Sequence, residues 1–152
     1  MPVIAAQTCD REVVTEYSST TSRAVIQHDL TADSNIYASL SEGFKAGGYA
    51  TYECTEPYDP EEVTSLEFGF KGSLGENTSL NASLFRYDYT DFQVLQVVGI
   101  QTVTRNAGDA TVNGLELEAL TNVSDSLTLN YGVTLLDATY GDFLNTNGLE
   151  PQ

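Results

Sequence analysis

The chain has no tryptophan, one methionine, one histidine and two cysteines, and its 152 residues include 6 basic ones against 22 acidic ones. With a formal net charge of −16 it offers no basic surface to phosphates. That excludes a nucleic-acid partner and a polybasic anchor on a membrane surface. The single histidine, His28, supplies no metal ligand set. No zinc spacing, phosphate loop, Ser/His/Asp or Cys/His arrangement is present, so neither an enzyme nor a metal or cofactor site is expected. No stretch approaches the roughly 18 apolar residues of a membrane-spanning helix. This leaves a membrane β-barrel open, because its signal per strand is far weaker. The opening Met1-Pro2-Val3-Ile4-Ala5-Ala6 lacks the basic and long apolar parts of a signal peptide.

The chain is rich in tyrosine (9) and phenylalanine (6), with abundant Ser, Thr, Asn and Gly. This composition favours strands and turns. The apolar share of 41% is too ordinary for disorder. The clearest stretch runs from Arg105 to Leu120. After the turn-prone Asn106-Ala107-Gly108 it alternates, with Leu115, Leu117 and Ala119 on one face and Gly114, Glu116 and Glu118 on the other. Period two means a strand between two different environments.

The same alternation predicts six strands at about residues 22–31, 35–44, 64–73, 80–92, 110–121 and 127–140. In the fourth, the apolar register slips between Leu84 and Phe85; either a bulge lies there or the strand leaves the apolar layer at Arg86. The region from Gln93 to Val103 reads as a strand extension followed by a loop. Short turns fall near residues 33, 76 and 124, and longer connections near 45–62, 92–105 and from 141 onward. All short turns therefore lie at one end of the sheet, as in outer-membrane barrels. Charged Asp29, Glu67, Lys71, Glu116 and Glu118 occupy the polar faces. The opposite faces carry Leu, Phe, Ile, Val and Ala, with tyrosine near strand ends and His28 as the exception.

Four stretches then resemble one family, the TonB-dependent receptors of Gram-negative outer membranes. They are Ile36 to Tyr49 (with Gly43-Phe44-Lys45-Ala46-Gly47-Gly48), Tyr58-Asp59-Pro60-Glu61 through Lys71, Leu84 through Asp91-Phe92-Gln93, and Asn106-Ala107-Gly108 through Glu118. They come in the family's order and approximate spacing over about residues 22–143.

The resemblance implies a section of an antiparallel, up-and-down transmembrane β-barrel of 22 strands. In the whole receptor a plug domain fills it, and the plug is absent from this sequence. It implies uptake of a scarce solute, such as a ferric siderophore, cobalamin or a glycan, across the outer membrane. The energy comes from the TonB complex through the missing plug, and the surrounding partner is outer-membrane lipid. Six strands cannot close such a barrel, so the expectation is a section that transports nothing alone.

Within this frame Tyr49, Tyr52 and Tyr58 sit in a long outer connection, either as an aromatic ligand surface or as loop packing. Glu67, Lys71, Glu116 and Glu118 are expected to face the lumen, along a solute path or as a charge network against the plug. The acidic loop Glu56, Asp59, Glu61 and Glu62 matches no calcium-loop spacing. Cys9 and Cys54 fall in neighbouring outer connections and would either pair or stand as separate thiols. The competing expectation is a soluble or cell-surface β-sandwich that binds carbohydrate. There Leu66, Phe68, Phe70, Leu115 and Leu117 would meet a second sheet across a dry core.

Overall fold

The computed structural model describes residues 15–49, 57–98 and 100–141. The strands are β1 (Arg23–Thr31), β2 (Ser34–Lys45), β3 (Glu61–Leu74), β4 (Thr78–Thr90), β5 (Gln93–Val98), β6 (Gln101–Asn106), β7 (Ala110–Ser124) and β8 (Leu127–Tyr140). Six of them form one antiparallel sheet in the order β1-β2-β3-β4-β7-β8, and β5 and β6 form a separate two-stranded sheet. The architecture is the expected all-β, up-and-down one, with β1 and β8 as edges rather than closed on each other.

Short polar turns join β1 to β2, β3 to β4 and β7 to β8. In the first, Asp33 N–H donates to Thr31 Oγ1 at 3.2 Å. In the second, Gly75 takes φ of 72°, a left-handed turn conformation that glycine adopts without steric cost. The longer connections, β2–β3 and β4–β7, lie at the opposite end of the sheet.

Residues paired across neighbouring strands share a face. One row joins Ile26, Ala38, Phe68, Leu84, Leu115 and Leu135; the next joins Val25, Ser39, Glu67, Phe85, Gly114 and Leu136. The sheet therefore has one apolar and one polar face. The apolar face is uncovered: Ile26 is 72% exposed, Phe68 53%, Leu84 59% and Leu135 59%. Among the described residues, the apolar side chains that are buried are Val103, Ala110 and Ala119. This sheet has no dry core of the kind a sandwich builds from its leucines and phenylalanines.

Three expectations are corrected. No bulge separates Leu84 from Phe85. Leu84 pairs with Phe68 and Leu115, and Phe85 pairs with Glu67 and Gly114, in unbroken register. Phe85 therefore belongs to the polar face, where its ring lies over Gly114, at a position where any Cβ would collide with it. The tyrosines do not ring the apolar face either. Tyr37, Tyr87, Tyr89 and Tyr140 are all on the polar face, and Tyr131 is the strand tyrosine on the apolar one. Finally, residues after Thr90 do not extend β4. Asp91 takes φ of 54° and Gly108 φ of 92°, and between these breaks β5 and β6 fold into a hairpin with Gln93 opposite Asn106.

The apolar face is bounded at the long-connection end. On β2 it runs Ile36, Ala38, Leu40 and breaks at Glu42, with Phe44 beyond. On β4 it runs Leu80, Ala82, Leu84 and stops at Arg86 and Asp88. On β8 it runs Leu129, Tyr131, Val133, Leu135 and stops at Asp137. Each stop comes within about ten residues of the short-turn end, close to the roughly 9–11 tilted residues that cross a bilayer. Arg86 does not stand alone there: its Nε donates to both Asp88 oxygens (3.0 and 2.8 Å) and its Nη2 donates to Oδ1 (2.8 Å). Such i,i+2 pairing follows from strand geometry, which puts alternate residues on the same side.

Candidate functional site

Two groups of residues stand out, one on the polar face and one at the long-connection end. On the polar face, strand register brings together residues far apart in sequence. Tyr37 on β2 reaches across Gly69 on β3, where a side chain would occupy the space of its ring. Its hydroxyl donates to Glu67 Oε1. The Lys71 ammonium sits 5.1 Å from the centre of the same ring, a favourable place for a cation. Glu116 lies in the row of Gly69 and Ser83, and Glu118 in the row of Lys71 and Asn81. Phe85 and Tyr87 stack with ring centres 4.8 Å apart.

Together these side chains line a shallow pocket of about 220 Å³. The four charged residues singled out in the sequence, Glu67, Lys71, Glu116 and Glu118, all line it. Its chemistry is that of three carboxylates, one ammonium and aromatic rings. Such a surface accepts hydrogen bonds and attracts cations.

At the long-connection end a second group forms around Gly47 and Gly48. Gly48 and Tyr58 form a two-bond backbone bridge, with N···O distances of 3.1 and 2.8 Å. The Tyr58 ring lies against Gly48, at a distance no Cβ would permit. Tyr49 OH accepts from Thr15 Oγ1 at 2.9 Å. Tyr17, which no sequence pattern singles out, packs its ring on Gly47 and points its hydroxyl at the Tyr58 carbonyl at 3.5 Å. The Tyr17 hydroxyl is held above its usual pKa, first by loss of water around it and then by Tyr49, Asp59 and Tyr58 nearby. Tyr49 and Tyr58 are thus brought to one small cluster, whereas Tyr52 lies outside the described residues. So do Cys9 and Cys54.

Beside this cluster, Phe92 packs between Tyr89 (5.3 Å, edge to face) and Tyr140 (6.0 Å). Lys45 Nζ is 3.9 Å from Glu61 Oε2, and the same oxygen accepts from the Gln93 backbone N–H at 2.8 Å. The sequence pattern around Phe92 and Gln93 resembles a strand end and gives no sign of these contacts, because they depend on where the two long connections meet.

Comparison with known proteins bears on the fold that carries both groups. The family model described as "TonB dependent receptor-like, beta-barrel" matches residues 6–151. No curated protein sequence matches. Among solved structures, the ferric yersiniabactin uptake receptor FyuA from Yersinia pestis is similar in fold, with a TM-score of 0.64 and 23% identity. The match covers 81% of this chain and 18% of that receptor.

Proposed function

The chain belongs to the TonB-dependent receptor β-barrel family, and from that premise we propose that it forms part of the wall of an outer-membrane receptor for a scarce solute. The family consists of outer-membrane receptors and transporters, not enzymes. The similar fold of a ferric yersiniabactin receptor favours a ferric siderophore-like solute over cobalamin or a glycan. Import would draw on the TonB complex through a plug domain contributed by the rest of the receptor.

The observation that carries this reading is the two-faced sheet. Its apolar face is exposed, continuous across six strands, and bounded by Glu42, Arg86 and Asp137. In water such a patch is a liability, and in a bilayer it is the contact with lipid. The opposite face, with Glu67, Lys71, Glu116 and Glu118, would then look into the lumen toward the plug or a solute path. Tyr49 and Tyr58, with Tyr52 in the same connection, would stand at the outer rim, where an arriving solute is met first.

The test is cysteine accessibility in the full-length receptor, in cells. Single cysteines at Ser65 and Glu67 should react with a membrane-impermeant thiol reagent. Cysteines at Leu66, Phe68 and Phe70 should be protected in membranes, and a fluorophore attached to them before refolding into vesicles should be quenched by brominated lipid. Equal reaction on both faces would overturn the proposal, and a monomer that stays soluble without detergent would overturn it too.

A further inference from the structure

Two carboxamides join the two long connections. Gln93, 9% exposed, directs its Nε2 to the carbonyls of Ala46 (3.1 Å) and Asp59 (3.0 Å). Those carbonyls stand at the two ends of the β2–β3 connection, so one side chain holds both ends. Asn106 pairs with the Asp59 peptide from the other side. Its Oδ1 accepts from Asp59 N–H at 2.7 Å, and its Nδ2 donates to Asp59 O at 3.0 Å. The same Nδ2 donates to Asp91 O at 2.6 Å, closing its own connection. Gln93 and Asn106 face each other at the base of the β5–β6 hairpin. Phe92 completes the base, with its N–H donating to Gly108 O and its carbonyl accepting from Ala107 N–H, both at 2.8 Å.

The chemistry of these bonds requires amides. Each side-chain NH₂ has two protons, and each spends both on backbone carbonyls. A carboxylate of the same shape would bring negative charge to those carbonyls and donate nothing. In a chain with 22 acidic residues, the two donors at this junction are uncharged amides. The stretches that resemble the receptor family meet here as well: Ala46 beside Gly47 and Gly48, Asp59 beside Tyr58, Asp91 and Gln93, and Asn106.

We propose that Gln93 and Asn106 are positioning residues that bind the β5–β6 hairpin to the two ends of the β2–β3 connection, at Ala46 and Asp59, so that hairpin and connection ends meet a solute as one contact surface. The proposal rests on the receptor reading for its purpose, but the coupling itself is measurable without a solute. Substitution at Asn106 on the hairpin side loosens the β2–β3 connection, which it holds through the Asp59 peptide. The Tyr17–Tyr49–Tyr58 cluster, attached to the same connection, loosens with it.

The experiment uses the full-length receptor in detergent or nanodiscs and reads amide hydrogen exchange by mass spectrometry. Heat-modifiable migration on gels confirms that each variant still folds as a barrel. Asn106→Ala is expected to speed exchange in peptides covering 46–60 and 91–109 together, by about tenfold or more, with β3 and β4 unchanged. N106D should do the same at neutral pH and recover part of the protection at acidic pH, where a protonated carboxyl regains one donor. Q93A should expose both ends of the β2–β3 connection. A rise confined to the connection carrying the substitution overturns the proposal, as does an N106D variant as protected at neutral pH as the parent. If instead the coupling holds but the cysteine test places both sheet faces in water, the receptor reading fails and the clasp stands as a property of the fold.

Discussion

The ring of Phe85 on β4 covers Gly114 on β7, with Phe85 Cε1 2.8 Å from where a Gly114 Cβ would stand and two other ring atoms nearer still. A glycine in a strand ordinarily weakens it. Here it makes room for an aromatic ring on the polar face, beside Tyr87. Gly114→Ala is therefore expected to destabilise the barrel by about 1–3 kcal/mol, because the ring must leave its place. Combining it with Phe85→Leu should restore part of that loss. Urea unfolding of the refolded full-length receptor measures both.

Position along the apolar face sets the cost of a charge. Arg86 and Asp88 mark the edge of the apolar belt, and Leu84 lies one outward step inside it. Ala82→Arg, one outward-facing position deeper than Leu84, should cost roughly 2–4 kcal/mol, the penalty near the bilayer midplane, whereas Arg86→Leu should cost under about 1 kcal/mol. Unfolding free energies in lipid vesicles decide this. Equal costs at the two positions would remove the belt from this height.

The Tyr37 hydroxyl needs an acceptor more than it needs a charge. Glu67→Gln keeps an oxygen for it and is expected to cost under about 1 kcal/mol. Glu67→Leu strands a half-buried hydroxyl and should cost about 1–3 kcal/mol. The comparison reads from the same unfolding curves.

Packing of the segment around Tyr17 depends on pH in a direction that the raised pKa dictates. The folded state holds the Tyr17 proton more tightly than the unfolded state, whose tyrosines titrate near 10.0. The contribution is therefore complete below that pH and is lost as pH rises through the higher folded value. Ultraviolet titration of tyrosinate should show a late-ionising tyrosine that Tyr17→Phe removes. The same variant should lose the alkaline loosening of the Gly47–Tyr58 region.

Glu116 and Glu118, unlike Glu67, should matter for charge rather than for stability. Glu116→Lys and Glu118→Lys place an ammonium where Lys71 already stands nearby. They are expected to leave unfolding within about 1 kcal/mol of the parent. On the proposed siderophore reading they should lower uptake by the full receptor in cells, measured with the radiolabelled ferric complex. Uptake equal to the parent in both variants would leave that wall without a part in transport.

Alternation is a local property, and so the two faces of each strand could be read residue by residue. Leu115 and Leu117 against Glu116 and Glu118 needed no partner to be assigned. The same holds for the short polar turns, whose Asp, Ser, Asn and Gly residues carry their own backbone preferences. Phe85 was misplaced because an aromatic counts as apolar in any window, and only the glycine facing it on β7 shows that a ring fits on the polar side. The functional groupings were beyond the reach of any window. Tyr37 meets Glu67 across 30 positions, Tyr17 meets Tyr58 across 41, and Gln93 meets Ala46 across 47. Those meetings follow from the register of whole strands and from two left-handed residues, Asp91 and Gly108, that turn one connection back toward the other. Strand character is written in neighbouring residues. Which connections touch is set by hydrogen bonds between strands that the chain brings together only when the sheet has formed.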